Sequence, residues 1–164
     1  MKIRSLLVSL LLGISLAACS SATPATSTTT TLSKTQAKQE ITNAFSTLFN
    51  LQNPSIAPKI AVTQDGSSLA AAMTSTFHSQ LAKAAGGAKV DSVVFDSVSE
   101  CQMADQPSPC AKVYYSIISP AGTPIFPTPS IGYAVEINGK WLVAKSTICS
   151  LLSLASASGT PQGC

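Results

Sequence analysis

Arginine occurs once in the 164 residues, at Arg4, and histidine once, at His78. Only 10% of the chain is charged and 5% aromatic, with a single tryptophan, Trp141. Clustered Lys or Arg, which nucleic-acid or polybasic membrane binding requires, is missing, so nucleic acid is not an expected partner. Neither a Cys-x-x-Cys pair nor any other metal-ligand spacing occurs, and no metal or cofactor is expected. No Gly-x-Ser-x-Gly turn presents a serine nucleophile. A phosphate loop is also lacking, since Gly86-Gly87 has neither a strand before it nor Lys-Ser/Thr after it. The apolar run Leu6 to Ala18 is shorter than the roughly 20 residues of a membrane-crossing helix.

That run is nevertheless informative. Lys2 and Arg4 precede it and small residues close it, the layout of a secretory signal over residues 1–18. Leu16-Ala17-Ala18-Cys19 resembles a bacterial lipobox, in which the thiol receives a diacylglyceryl group and the signal is then removed. Two or three acyl chains anchor firmly, at about 0.8 kcal/mol per buried methylene. The expectation is a lipoprotein cut before Cys19 and held through lipid to the outer face of a membrane, in the cell envelope. Cleavage would leave eight Lys against seven Asp plus Glu, close to neutral.

Four cysteines follow Cys19, an even number that in an exported chain argues for disulfides. Three pairings are open to them. Cys101 with Cys110 and Cys149 with Cys164 is the expected set, because each closes a short loop, contributing about 3 kcal/mol in the chain-entropy model.

Ser20 to Leu32 is Ser/Thr/Ala-rich and too poor in large apolar groups to fold, so residues 19–32 read as a lipidated tether. Thr28 to Thr31 is a candidate for O-linked sugar. One domain is expected over residues 33–164, since about 130 residues supply one core. Ser33 and Gln36 form a capping-box signature, and Ala37, Ile41, Ala44, Phe45, Leu48 and Phe49 recur at helical spacing. After a proline-punctuated segment, Pro54 to Gly66, a second helix is expected from Ser67 or Ser68 to about Ala85, ended by Gly86-Gly87. The pattern then turns to strands: Val90 to Cys101, Cys110 to Ser119, Ser130 to Asn138 and Lys140 to about Ser146. In the third, Ile131, Tyr133, Val135 and Ile137 share one side, with Gly132 and Ala134 on the other. Asn138-Gly139 is a two-residue hairpin signal, and a short helix is expected over Thr147 to Ala157. The fold class is α+β: two N-terminal helices on one face of a curved four-stranded antiparallel sheet, with a short C-terminal helix.

Candidate chemistry is sparse. His78 would need Asp96 or Glu100 beside it to act as a base, and strand carboxylates such as Asp91, Asp96 and Glu100 usually mark a solvated face. No catalytic residue is expected, and the chain reads as a non-enzyme. Tyr115, Tyr133 and Trp141, with the other strand aromatics, are expected first to fill the core and, as the alternative, to border a small apolar pocket. Ile125 and Phe126, in the proline-rich loop Pro120 to Pro129, are candidates for an exposed patch that meets a protein partner.

The segment Asn138-Gly139-Lys140-Trp141-Leu142-Val143-Ala144-Lys145-Ser146, with Cys149 and Leu151-Leu152, resembles the low-molecular-weight secreted antigen family of mycobacteria and related actinobacteria. Asn53-Pro54, Lys59, Val62 and Gly66 extend the likeness, which covers about residues 33 to 157. The resemblance implies a cystatin-like, nuclear-transport-factor-like roll with helices against a strongly bent sheet that can enclose a conical pocket. It implies no catalytic residue. A protein-interaction role in the envelope is the expected function, with binding of a small apolar ligand as the alternative.

Overall fold

The computed structural model describes residues 33–79, 82, 84–155 and 161–164. The signal, lipobox and tether expected over residues 1–32 lie outside them.

Helix α1, Lys34–Leu48, begins as its first residues predict. Ser33 Oγ accepts the Gln36 N–H at 3.2 Å, and Gln36 Oε1 accepts the Ser33 N–H at 3.0 Å. Its buried stripe is Ala37, Ile41, Ala44, Phe45 and Leu48, and each large member contributes about 1.5–3 kcal/mol by leaving water. Within the segment expected to be only a connector, Ala57–Ala61 forms a one-turn helix, α2, with a proline in its first turn, where the missing N–H costs nothing. Helix α3, Ala70–Phe77, starts later than expected, after a turn in which Ser68 Oγ donates to Asp65 O at 2.8 Å. Its expected continuation to Ala85 runs through residues 80, 81 and 83, outside the described ones.

Strand β1, Gly87–Phe95, is followed by helix α4, Val98–Met103, and strands β2, Cys110–Ile118, β3, Ser130–Ile137, and β4, Lys140–Val143. Helix α5, Lys145–Ala155, comes last. The four strands pair antiparallel in chain order. Asn138 and Gly139 take φ of 53° and 74°, the left-handed values that a tight two-residue hairpin requires.

The first strand is shorter than the sequence pattern suggests. Ser97 Oγ accepts the Glu100 N–H at 3.3 Å, while the Glu100 carboxylate accepts the Ser97 N–H at 2.7 Å and its hydroxyl at 2.6 Å. This capping box starts a helix at residues expected to be strand. Glu100 therefore shares no strand face with Asp96, and the paired-carboxylate arrangement does not form. The Ser97 bonds hold the Glu100 carboxyl below its ordinary pKa.

The core lies between the inner face of the sheet and three helices. Ala111, Val113, Tyr115, Ala134 and Val143 meet Phe45 and Leu48 of α1, Met73 of α3, and Ile148 and Leu152 of α5. On the outer face, Cys101 of α4 packs with Cys110, Val135 and Ala144. Both expected disulfides form: Cys101–Cys110, with Cα atoms 5.8 Å apart, ties α4 to β2, and Cys149–Cys164, at 5.6 Å, ties the C-terminus to α5. Residues 62–64 close the edge of β4, where the Gln64 N–H donates to Val143 O and the Val143 N–H donates to Val62 O, each at 2.9 Å. The opposite edge, β1, carries a bulge at Asp91 and the charges of Lys89 and Asp91, features that discourage edge-to-edge pairing.

Candidate functional site

The aromatic residues singled out in the sequence separate to different parts of the fold. Tyr115 is core: its ring centroid lies 5.3 Å from those of both Phe45 and Phe49. Burial pushes its hydroxyl up to about 12, with the Ser130 hydroxyl pulling the other way. The space beneath the helices, where the family fold can enclose a conical pocket, is occupied by these three rings and the aliphatic side chains around them. Tyr133 sits on the outer face, half-buried against the Cys101–Cys110 cluster. Trp141 is on the inner face, 4% exposed, with its ring edge-on to Phe95 at 5.7 Å.

Among the described residues, two surface grooves stand out. One, of about 300 Å³, lies between α3 and α5 beside Pro161 and Gln162. The other, of about 290 Å³, runs between α1 and β4 and includes Trp141 in its wall. Ile125 and Phe126 project from the β2–β3 loop, 44% and 54% exposed, while the Ile125 N–H donates to Ile117 O at 2.8 Å and holds the loop against β2.

The titratable candidates remain apart. His78 is the C-cap of α3, and its N–H donates to Thr74 O. Asp91 accepts a 2.6 Å hydrogen bond from the Ser116 hydroxyl and has Lys89 Nζ 4.0 Å away. Among the described residues no three His, Cys, Asp or Glu side chains gather as metal ligands, and no helix is long and apolar enough to cross a membrane. The one deeply buried cation among them is Lys59, at 2% exposure. Its Nζ donates to Asn50 O and Asn53 O at 2.8 Å and to Ser55 O at 3.4 Å, 5.7 Å from the centre of the Phe77 ring. Desolvation lowers its pKa. This lysine gathers loose carbonyls after α1 and braces the chain there.

A profile described as Low molecular weight antigen MTB12, C-terminal domain, matches residues 34–159, the span that contains every helix and strand above. The chain belongs to this family. Members of the MTB12 family are secreted or envelope-associated mycobacterial antigens without a defined biochemical activity. No curated protein and no solved structure matches the chain.

One surface of this MTB12-type domain escaped the sequence reading. On the outer face Ser92, Tyr114 and Ile131 form one cross-strand row, and Val94, Lys112 and Tyr133 the next. Ile131 is 57% exposed and Val94 49%. Alternation in β3 places Ile131 with Tyr133, but it does not say which side faces the helices. The small residues Gly132 and Ala134 turn inward because Tyr115 and Thr147 already fill that space: a Cβ on Gly132 would stand 2.7 Å from Thr147 Cγ2 and 3.1 Å from Tyr115 Cε1.

Proposed function

We propose that the protein is an exported envelope lipoprotein, anchored through Cys19, whose domain is a non-enzymatic protein-interaction module. The observation that carries this reading is where the apolar side chains lie. The interior beneath the helices is filled by Phe45, Phe49 and Tyr115, whereas Ile125, Phe126, Ile131 and Val94 stand in solvent. Exposed apolar groups that lie together, rimmed by polar residues, are a mark of a partner surface.

The path of α1 adds a direction. Its C-terminal end lies beside β1, with Phe49 O 3.4 Å from where a Cβ on Gly87 would stand. The Ile125–Phe126 loop leaves β2 at that same end, where Ile118 bridges to Pro124 and the Gly86 N–H donates to Ile118 O. Fifteen helical residues span about 22 Å, so Ser33 and this loop stand roughly a helix length apart. Lipid joined to the chain before Ser33 would attach at the end of α1 away from this loop, which leaves the loop accessible to other envelope components.

The test is photo-cross-linking in the host. A photoreactive phenylalanine analogue is placed at Phe126, at Ile131 and, as a control, at the exposed Thr35 on the first turn of α1. The reading expects one discrete protein adduct from position 126 or 131, and none from 35. It also expects Cys19→Ala to release the protein from the membrane fraction and to abolish acyl labelling. Absence of a discrete adduct, together with a small molecule retained in native mass spectrometry of the released protein, would replace the interaction module with a ligand carrier. Retention of Cys19→Ala in the membrane would remove the anchor.

A further inference from the structure

The two disulfides sit in different surroundings. Cys101 and Cys110 are 0% and 1% exposed, packed with Val135 and Ala144 beneath α4. Cys164 is exposed, and Cys149 is half-buried on α5, against the main core. A bridge that a thiolate can reach is the labile kind, whereas a sealed one exchanges only when the fold around it opens.

The accessible bridge is also what fastens residues 161–164. Among the described residues their hydrogen bonding is internal, with the Cys164 N–H donating to Pro161 O at 3.1 Å. The segment nevertheless lies tightly on the start of α3. Gly163, at φ 92°, comes so close that a Cβ there would collide with Ser68 O and stand 3.1 Å from Leu69 Cδ2. Leu69 is wholly buried, and Pro161 and Gln162 wall the groove between α3 and α5 beside Ala72 and Leu152.

We propose that Cys149–Cys164 is a thiol–disulfide exchange site for a protein dithiol of the Cys-x-x-Cys class, and that its opening lifts residues 161–164 from α3. An incoming thiolate attacks Cys164 Sγ and bonds to it. The electron pair of the old S–S bond leaves with Cys149 Sγ, which takes up a proton. The partner's second thiol then loses its proton and attacks the partner sulfur of the mixed disulfide. Cys164 leaves as a thiolate and is protonated, and the partner is oxidised by two electrons to its own disulfide. Cys101–Cys110 stays closed through both steps and keeps α4 on β2. Release uncovers Leu69, an apolar side chain that the oxidised protein conceals. The switch is independent of Cys19 and of the Ile125–Phe126 loop.

The test treats the folded full chain with dithiothreitol, alkylates the thiols at intervals and maps the labelled cysteines by peptide mass spectrometry. Cys149 and Cys164 are expected to label at least about tenfold faster than Cys101 and Cys110. In the protein reduced at that pair alone, amide protection over residues 66–73 should fall while that of β2 is unchanged, measured by hydrogen exchange. Cys149→Ser with Cys164→Ser should show the same loss without reductant. The labelling order is read on the unsubstituted protein, so it keeps the test valid should that variant fold poorly. Equal labelling of the two pairs, earlier labelling of Cys101 and Cys110, or unchanged protection over residues 66–73 after reduction overturns the proposal.

Discussion

Replacing Lys59 by methionine removes the one group that gathers the chain after α1. The two side chains are similar in length, so packing against Phe77 is largely kept, and the change isolates the ammonium. Two 2.8 Å bonds, to Asn50 O and Asn53 O, and a longer one to Ser55 O are lost. Asn50 O keeps a weak bond from the Asn53 N–H at 3.3 Å. A buried carbonyl left without a donor costs about 1–3 kcal/mol, and relief of the ammonium's desolvation offsets part of the loss. The net expectation is about 2 kcal/mol, or a fall in Tm of about 8 °C at roughly 4 °C per kcal/mol for a domain of this size. Lys140→Met, at an exposed lysine with one 3.2 Å bond, should cost less than about 0.5 kcal/mol. The pH dependence has a definite sign. Burial lowers the Lys59 pKa below the ordinary lysine value of 10.5, so between the two values the unfolded chain binds more protons and native stability rises with pH. Subtracting the Lys59→Met curve from the wild-type curve should show that rise just below pH 10.5. Chemical denaturation of both proteins from about pH 7 to the ordinary lysine pKa measures it. Equal stabilities at neutral pH would refute the assignment of Lys59 as the brace, whereas a difference that shrinks as pH rises would refute the lowered pKa.

Gly132→Ala puts a methyl 2.7 Å from Thr147 Cγ2 and 3.1 Å from Tyr115 Cε1; overpacking of this kind should cost about 1–3 kcal/mol, read by thermal unfolding. Gly139→Ala meets no neighbour within 4 Å but keeps φ at 74°, so its cost should come from the turn alone, at about 1 kcal/mol. Replacing Cys101 and Cys110 together by serine opens a loop of sequence separation 9 and should lower stability by about 2–3 kcal/mol. Because that bridge ties α4 to β2, amide protection should fall first over residues 98–109, measured by hydrogen exchange.

Much of the fold was legible because several local signals agree with the tertiary structure. The Ser33–Gln36 box, the apolar stripe through Phe45 and the Asn138-Gly139 turn each need only neighbours in sequence to act, and each appears where the pattern places it. The short cysteine spacings held for the same reason. Helix α4, misread as strand, was written in the same code: Ser97 and Glu100 repeat the capping box of α1, but the apolar alternation of the preceding strand masked it.

The site was less legible because periodicity in a strand defines two sides and leaves open which one is inward. In β3 the bulky side, Ile131 with Tyr133, is the natural candidate for the core, yet it is the side that faces out. The decision is made elsewhere, on α1 and β2, where Phe45, Phe49 and Tyr115 bring three rings to the same space. Interiors are close-packed, so a strand crossing beneath those rings can present only hydrogen and methyl there, as Gly132 and Ala134 do. Its large residues are then displaced to the outer face, where Val135 is buried in the Cys101–Cys110 cluster and Ile131 is left exposed. The exposure of Ile131 is thus the consequence of a filled interior. A domain of this fold with an open conical pocket should show the reverse: a smaller residue at the position of Tyr115 and bulk at the position of Gly132. Tyr115→Ala with Gly132→Leu in this chain tests the trade directly. If the doubly substituted domain folds with Tyr115→Ala alone markedly less stable, measured by thermal unfolding of both, volume exchange across β2 and β3 sets which side of β3 is inward; if the second substitution only adds to the loss of the first, it does not.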